Sequence, residues 1–230
     1  MRMNLLTEER TKDIWRQNDA VCFDVDSTVV TGEGIDEFAR FCGRGEEVAE
    51  WTRRAMDGGI SFREALDARL NIIKPSLQQV KDFISSNSLN LTEHIRELVS
   101  TLTSKGSTVY LVSGGFKEFI EPLTILVGIP KENIFANRLI FDDQGHYSGF
   151  DTNQPTSDSG GKATVVGMLK KRYNYKSLVM VGDGATDIEA CPPADAFIGF
   201  GGNVVRENVK KNASWYVTDF KTLLNELKKV

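Results

Sequence analysis

The sequence predicts an α/β protein: a doubly wound, mostly parallel sheet with an inserted helical cap domain and a small β-hairpin. Three observations predict it. Short apolar, β-branched runs recur at residues 21–25, 108–112 and 178–181, with a weaker one at 196–198. Unbroken runs of this kind suit strands covered on both faces. Helical patterns fill the intervals between them, as βαβ units require. Residues 33–90 carry only helical segments, so an all-helical insert follows the first strand. Such a sheet is Rossmann-like, and its ligands bind beyond the carboxyl ends of its strands.

In chain order, the first strand covers 21–25. The insert then holds helices at 35–42, 46–56, 61–70 and 76–85, punctuated by Gly43, Gly45, Gly58, Gly59 and Pro75. From 91 to 105, apolar residues at 91, 95, 98, 99 and 102 share one helical face. The second strand, 108–112, follows. Residues 138–150 read as a hairpin turning at Asp142-Asp143-Gln144-Gly145. Helices at 160–172 and 204–211 flank the strands at 178–181 and 196–198. A closing helix, 219–228, has Asp219 at its N-cap. The expected division is a catalytic core of residues 1–34 and 92–230 and a helical cap of residues 35–91.

Composition narrows the function. The 230 residues are 40% hydrophobic and 26% charged, ordinary for a globular chain. A net charge of −4 with no basic block argues against a nucleic-acid partner. No apolar stretch approaches the ~20 residues of a membrane span. Residues 1–19 lack an apolar signal core. Three cysteines, Cys22, Cys42 and Cys191, are too few for a disulfide framework, so a cytoplasmic, reducing setting is expected.

The chemistry-bearing groups gather at strand ends. The first run ends in Asp24 and Asp26, which would face the same way if the strand continued. One carboxylate can attack phosphorus while the other supplies a proton, provided their environments separate their pKa values. The third run ends in Gly182-Asp183-Gly184-Ala185-Thr186-Asp187, whose carboxylates could complete a cation site with Asp24. The second ends in Ser113-Gly114-Gly115, read as a phosphate cradle at a helix start. Lys162 opens a helix, where a cation opposes the helix dipole, so local stability does not explain it. Taken singly, each group has a plainer meaning: a capping pair, two glycine turns, a solvated lysine. His94 and His146 are read as surface residues outside this chemistry.

Together the motifs resemble the haloacid dehalogenase (HAD) superfamily of phosphohydrolases. Its pattern is DxDx(T/V), then Ser/Thr, then Lys, then an acidic pair after a strand. Here these are Asp24-Val25-Asp26-Ser27-Thr28, Ser113, Lys162, and Asp183 with Asp187. Glu33-Gly34-Ile35-Asp36-Glu37 and Gly160-Gly161-Lys162 extend the match, which runs from about residue 14 to the C-terminus. The resemblance implies a HAD core with a helical cap and a Mg²⁺ cofactor. The implied reaction is hydrolysis of O-phospho-L-serine, the last step of L-serine biosynthesis, through a phospho-aspartyl intermediate. It implies Asp24 as nucleophile and metal ligand. Asp26 is then the general acid and later the base, and binds the metal through its carbonyl. Asp183 is a metal ligand and Asp187 supports the metal site. Ser113, Gly114, Gly115 and Lys162 hold the phosphate, with Thr186 near it. Glu33 meets the substrate ammonium, Arg69 its carboxylate, Met56 lies against the substrate, and Arg206 aids binding. A zwitterionic amino acid independently calls for an anion and a bidentate cation at fixed spacing. One position departs: Asp57 stands where the family usually has Gly. The rival readings are a related phosphatase or phosphotransferase for another small phosphomonoester, and a non-catalytic binder of phosphorylated ligands. A homodimer is left open.

Overall fold

The structure is a computed structural model that describes residues 6–56, 60–86 and 90–229. Its strands are β1 (Ala20–Phe23), β2 (Thr108–Phe116), β3 (Ile134–Asn137), β4 (Leu139–Phe141), β5 (Tyr147–Phe150), β6 (Leu178–Gly182), β7 (Ala196–Phe200) and β8 (Trp215–Val217). The helices up to β2 are α1 (Glu8–Arg16), α2 (Gly34–Phe41), α3 (Gly45–Met56), α4 (Phe62–Ile73), α5 (Leu77–Ser85) and α6 (Ile95–Ser104). Beyond it lie α7 (Lys117–Val127), α8 (Gly161–Tyr173), α9 (Ala185–Glu189), α10 (Glu207–Asn212) and α11 (Phe220–Leu227). Six strands pair in the order β3-β2-β1-β6-β7-β8, each pairing parallel, while β4 and β5 form an antiparallel hairpin.

The sheet is covered on both faces because its central strands are apolar on both. Val21 and Phe23 pack with Trp15, Leu98, Leu223 and Phe220 on one side. Ala20 and Cys22, pointing the other way, pack with Val165, Val166 and Met180. Phe23 pairs with Leu111 of β2 and Val181 of β6, so β1 and β6 end within a residue of each other while β2 runs on beyond them.

Helices α2 to α5 surround a third apolar cluster. Ser61 and Ser76 start α4 and α5 with capping boxes completed by Glu64 and Gln79. Phe38, Phe83 and Phe119 meet in tilted and edge-to-face contacts with ring centroids 5.0–5.1 Å apart. This cluster is not confined to the helices of the insert, for Phe119 of α7 and Leu139 and Phe150 of the hairpin belong to it. The chain enters and leaves the insert side by side: Val30 bridges Leu91, and Thr31 N and Thr92 N donate to Asn90 O and Val29 O, each at 2.9 Å. From α4, Arg63 reaches the loop before α8, pairing with Asp158 at 3.1 Å.

Several boundaries differ from the sequence expectation. The first strand stops at Phe23, not residue 25, because the chain leaves the extended path and turns at Ser27, whose φ is 53°. Asp24 and Asp26 therefore lie on a wide turn, not a strand. Ser113-Gly114-Gly115 lies inside β2, not at a helix start, because β2 runs on to pair Phe116 with Asn137. The helix expected from 91 begins at Ile95, since Leu91 is held by Val30 and His94 turns at φ 65°. That leaves His94 half-buried, while His146 is exposed on the hairpin. The helix expected from 204 begins at Glu207. Helix α1 and the short strands β3 and β8 were not expected. Asp219 does cap α11, accepting from Thr222 N at 2.7 Å.

Candidate active site

Each charged group of the site is held by the element that carries it. Asp24 is the first residue past β1, fastened to the sheet by its N–H on Val181 O at 2.9 Å. Its Oδ1 accepts from Val25 N at 2.7 Å and meets Lys162 Nζ at 2.8 Å. Asp183 follows β6; its Oδ1 accepts from Thr28 Oγ1 at 3.0 Å and its Oδ2 from Arg206 Nε at 2.8 Å. Asp187, in the first turn of α9, accepts from Lys162 Nζ at 2.7 Å and Gly184 N at 2.9 Å. A Cβ at Gly182 would come within 2.2 Å of Asp187 Cγ, so the strand end must be glycine.

Carboxylate oxygens of Asp24, Asp183 and Asp187 lie within 4.8 Å of one another, and all three residues are buried. Buried like charges are costly unless a cation offsets them. Burial, then the Asp187 charge, holds Asp24 well above the usual carboxylate range. Burial also raises Asp187. Burial works against the Lys162 ammonium, but Asp187 and Asp24 outweigh it and raise its pKa. Three convergent hard oxygen donors with this excess of negative charge fit a divalent cation.

Asp26 stands apart. It is half-buried, its Oδ1 accepts from Gly34 N at 2.8 Å, and burial together with Glu33 pushes its pKa up to about 7. A Cβ on Gly115 would lie 3.0 Å from Asp26 Oδ2, so Gly115 leaves this carboxyl its room. A raised carboxyl pKa means the folded state keeps a proton that the unfolded chain has lost. Stability of the metal-free protein is therefore expected to fall as pH rises from about 4 to about 7. Asp26→Asn should flatten that slope. Urea titrations across the window check it, and a slope of opposite sign would refute the assignment.

These groups line a cavity of about 590 Å³. Its sheet side carries Asp24, Asp26, Gly114, Gly115, Lys162 and Asp183; Thr186, Arg206 and Glu33 continue it. The opposite side is Thr52 of α3 and Phe62, Leu66 and Arg69 of α4. Phe62 packs on Gly114, where a Cβ would come within 2.6 Å of its ring. Glu33 Oε1 accepts from Ser27 Oγ at 2.8 Å and Arg206 Nη2 at 3.0 Å. Arg69 donates from Nε to Ala65 O at 3.0 Å; burial lowers its pKa, against the pull of Asp36, Glu33 and Asp26.

Not every expected residue reaches the cavity wall. Ser113 is fully buried, its hydroxyl accepting from Gly115 N at 2.8 Å. Asp187 lies behind Lys162. Met56 ends α3, with its side chain outside the described residues, as is Asp57. His94 and His146 do not line it. Sequence reasoning missed Thr52, Phe62, Thr156 and Asp158. Thr52 was within reach: it lies one helical turn before Met56, so the two share a helix face.

A family model described as haloacid dehalogenase-like hydrolase matches residues 18–195. The phosphoserine phosphatase of Rattus norvegicus is 52% identical over 97% of this chain and 99% of its own. A solved structure described as a phospho-aspartyl intermediate analogue of phosphoserine phosphatase superposes with a TM-score of 0.78 at 30% identity, covering 90% of this chain and 98% of the other. The structure of DsGPDH of Dunaliella salina gives a TM-score of 0.83 at 31% identity, with 96% of this chain matching 38% of that longer one.

Proposed function

The chain belongs to the haloacid dehalogenase-like hydrolases, and from that premise we propose that it hydrolyses O-phospho-L-serine to L-serine and phosphate. One observation carries the reading beyond the family. The cavity that holds Asp24, Asp26 and Lys162 also holds Glu33 and Arg69, an anion and a cation for the two ends of an amino acid. Relatives that match 97% of this chain bear that activity in their names.

Asp24 attacks phosphorus through Oδ2, since Oδ1 is engaged by Val25 N and Lys162. The phosphorus–ester oxygen bond breaks and Asp26 gives its proton to the departing serine alkoxide. Asp26 then takes a proton from water as that water attacks phosphorus, and the bond to Asp24 breaks. The pKa of about 7 suits a group that must give and take a proton. Lys162 offsets the charge shared by phosphate and Asp24, while Ser113, Gly114, Gly115 and Thr186 shape the phosphate end. Glu33 receives the ammonium, Arg69 the carboxylate, and Arg206 orders Glu33. We assign Mg²⁺ to Asp24, Asp183 and the Asp26 carbonyl, with Asp187 in support; when bound it supplies the charge that lets a carboxylate approach a phosphate dianion. Residues 35–91 act as the cap that excludes bulk water over the core of residues 1–34 and 92–230. Free cysteines suit a cytoplasmic setting, and no described helix is long and apolar enough to cross a membrane.

The test is phosphate release, with and without Mg²⁺, from O-phospho-L-serine and from esters lacking the carboxylate, such as phosphoethanolamine. Arg69→Ala is expected to raise KM for phosphoserine about 100-fold with little change in kcat, the loss of two charge-assisted hydrogen bonds. Phosphoethanolamine should be indifferent to the change. An unaltered KM for phosphoserine would assign the activity to a different small phosphomonoester.

A further inference from the structure

The loop between β7 and α10 ends in Arg206 but is otherwise unused by the reaction above. It is firmly seated. Gly201 N donates to Val217 O at 2.8 Å, and a Cβ on Gly201 would fall 1.8 Å from the Tyr216 hydroxyl. Asn203 stands on this base and points at the turn after β1. Its amide nitrogen donates to Ser27 O at 3.1 Å, Val30 O at 3.3 Å and Thr92 Oγ1 at 2.7 Å. Thr92 Oγ1 in turn donates to Thr28 O at 2.7 Å.

The turn has need of these donors. Its bend at Ser27 uses a positive φ, unfavourable for a residue with a Cβ, and it takes the following carbonyls out of the sheet ladder. Carbonyls so placed require partners. Asn203 and Thr92 reach the carbonyls of residues 27, 28 and 30 from one side. From the other, Ser27 N donates to Gly32 O at 2.9 Å and Gly34 N to Asp26 Oδ1 at 2.8 Å.

We infer that Asn203 is a positioning residue for Asp26: through the Ser27 and Val30 carbonyls it holds the turn that aims the proton donor at the ester oxygen. The inference rests on the proposed role of Asp26. Misplacing a proton donor harms substrates in proportion to their need for a proton. Serine leaves as a basic alkoxide and needs one; nitrophenolate leaves without.

The experiment measures kcat/KM, which reports ester cleavage and not the later hydrolysis that both esters share, for O-phospho-L-serine and for p-nitrophenyl phosphate in wild type and Asn203→Ala. The expected result is a loss of about 30-fold with phosphoserine and less than about threefold with the nitrophenyl ester. Thr92→Val, which keeps the side-chain shape and removes the hydroxyl, should reproduce the same inequality in weaker form and carries the test if Asn203→Ala does not fold. Equal losses on both esters would reduce Asn203 to a structural residue, and an unchanged phosphoserine rate would dismiss it; either overturns the inference. Wild-type enzyme that fails to release phosphate from phosphoserine would instead remove the reading of the site.

Discussion

Asp24→Asn is expected to lower kcat at least about 10⁴-fold while leaving the fold intact, because the amide cannot take the place of the carboxylate in the covalent bond to phosphorus that the proposed reaction runs through. The amide is close in shape to the carboxylate and still offers an oxygen to Val25 N and Lys162. It also removes one of three crowded buried anions. The metal-free variant should therefore melt no lower than wild type, so lost activity will not be lost structure. Protein quenched in acid during turnover of radiolabelled phosphoserine should carry label in wild type and none in the variant. Near-normal turnover by Asp24→Asn would dismiss the nucleophile.

Lys162→Met strikes the same cluster from the opposite side. The ammonium contacts both Asp24 and Asp187 within 2.8 Å and is itself buried. Removing it leaves buried carboxylates short of a partner, a change that costs about 3 kcal/mol or more where a buried pair is broken. It also removes a fixed positive charge from beside the transferring phosphoryl group, worth about 10²–10³ in rate. Urea unfolding and kcat/KM should both fall. A variant that loses stability yet keeps its rate would show that the lysine serves the fold alone. Of the two replacements only this one is expected to weaken the apoprotein, so the pair separates charge balance from chemistry.

Much of the candidate site was legible because its groups sit in short contiguous motifs where apolar runs stop. Asp24 and Asp183 announce themselves because a strand covered on both faces has no use for a carboxylate at its end. The four helices of the insert were legible too, through their spacing and the serines that start α4 and α5. What was hidden is what depends on contacts far apart in sequence. β3 and β8 have four and three residues, too few for periodicity to register, and exist because longer neighbours offer them an edge. The turn at Ser27 is a poor local choice sustained from outside, by Asn203 at 176 positions' remove. Phe62 reads as one more apolar helix residue until α4 is laid against Gly114.

The third apolar cluster bears on how far this protein can be taken apart. Phe38 and Phe83 lean on Phe119, and the same pool of side chains runs into Leu139 and Phe150 of the hairpin. A chimera that exchanged α2–α5 with a relative while keeping its own hairpin would mate two surfaces that were never fitted to each other. With the role proposed for Arg69, specificity is accordingly not a detachable part: the segment bearing it and the far-off hairpin share one apolar cluster and are expected to graft only together.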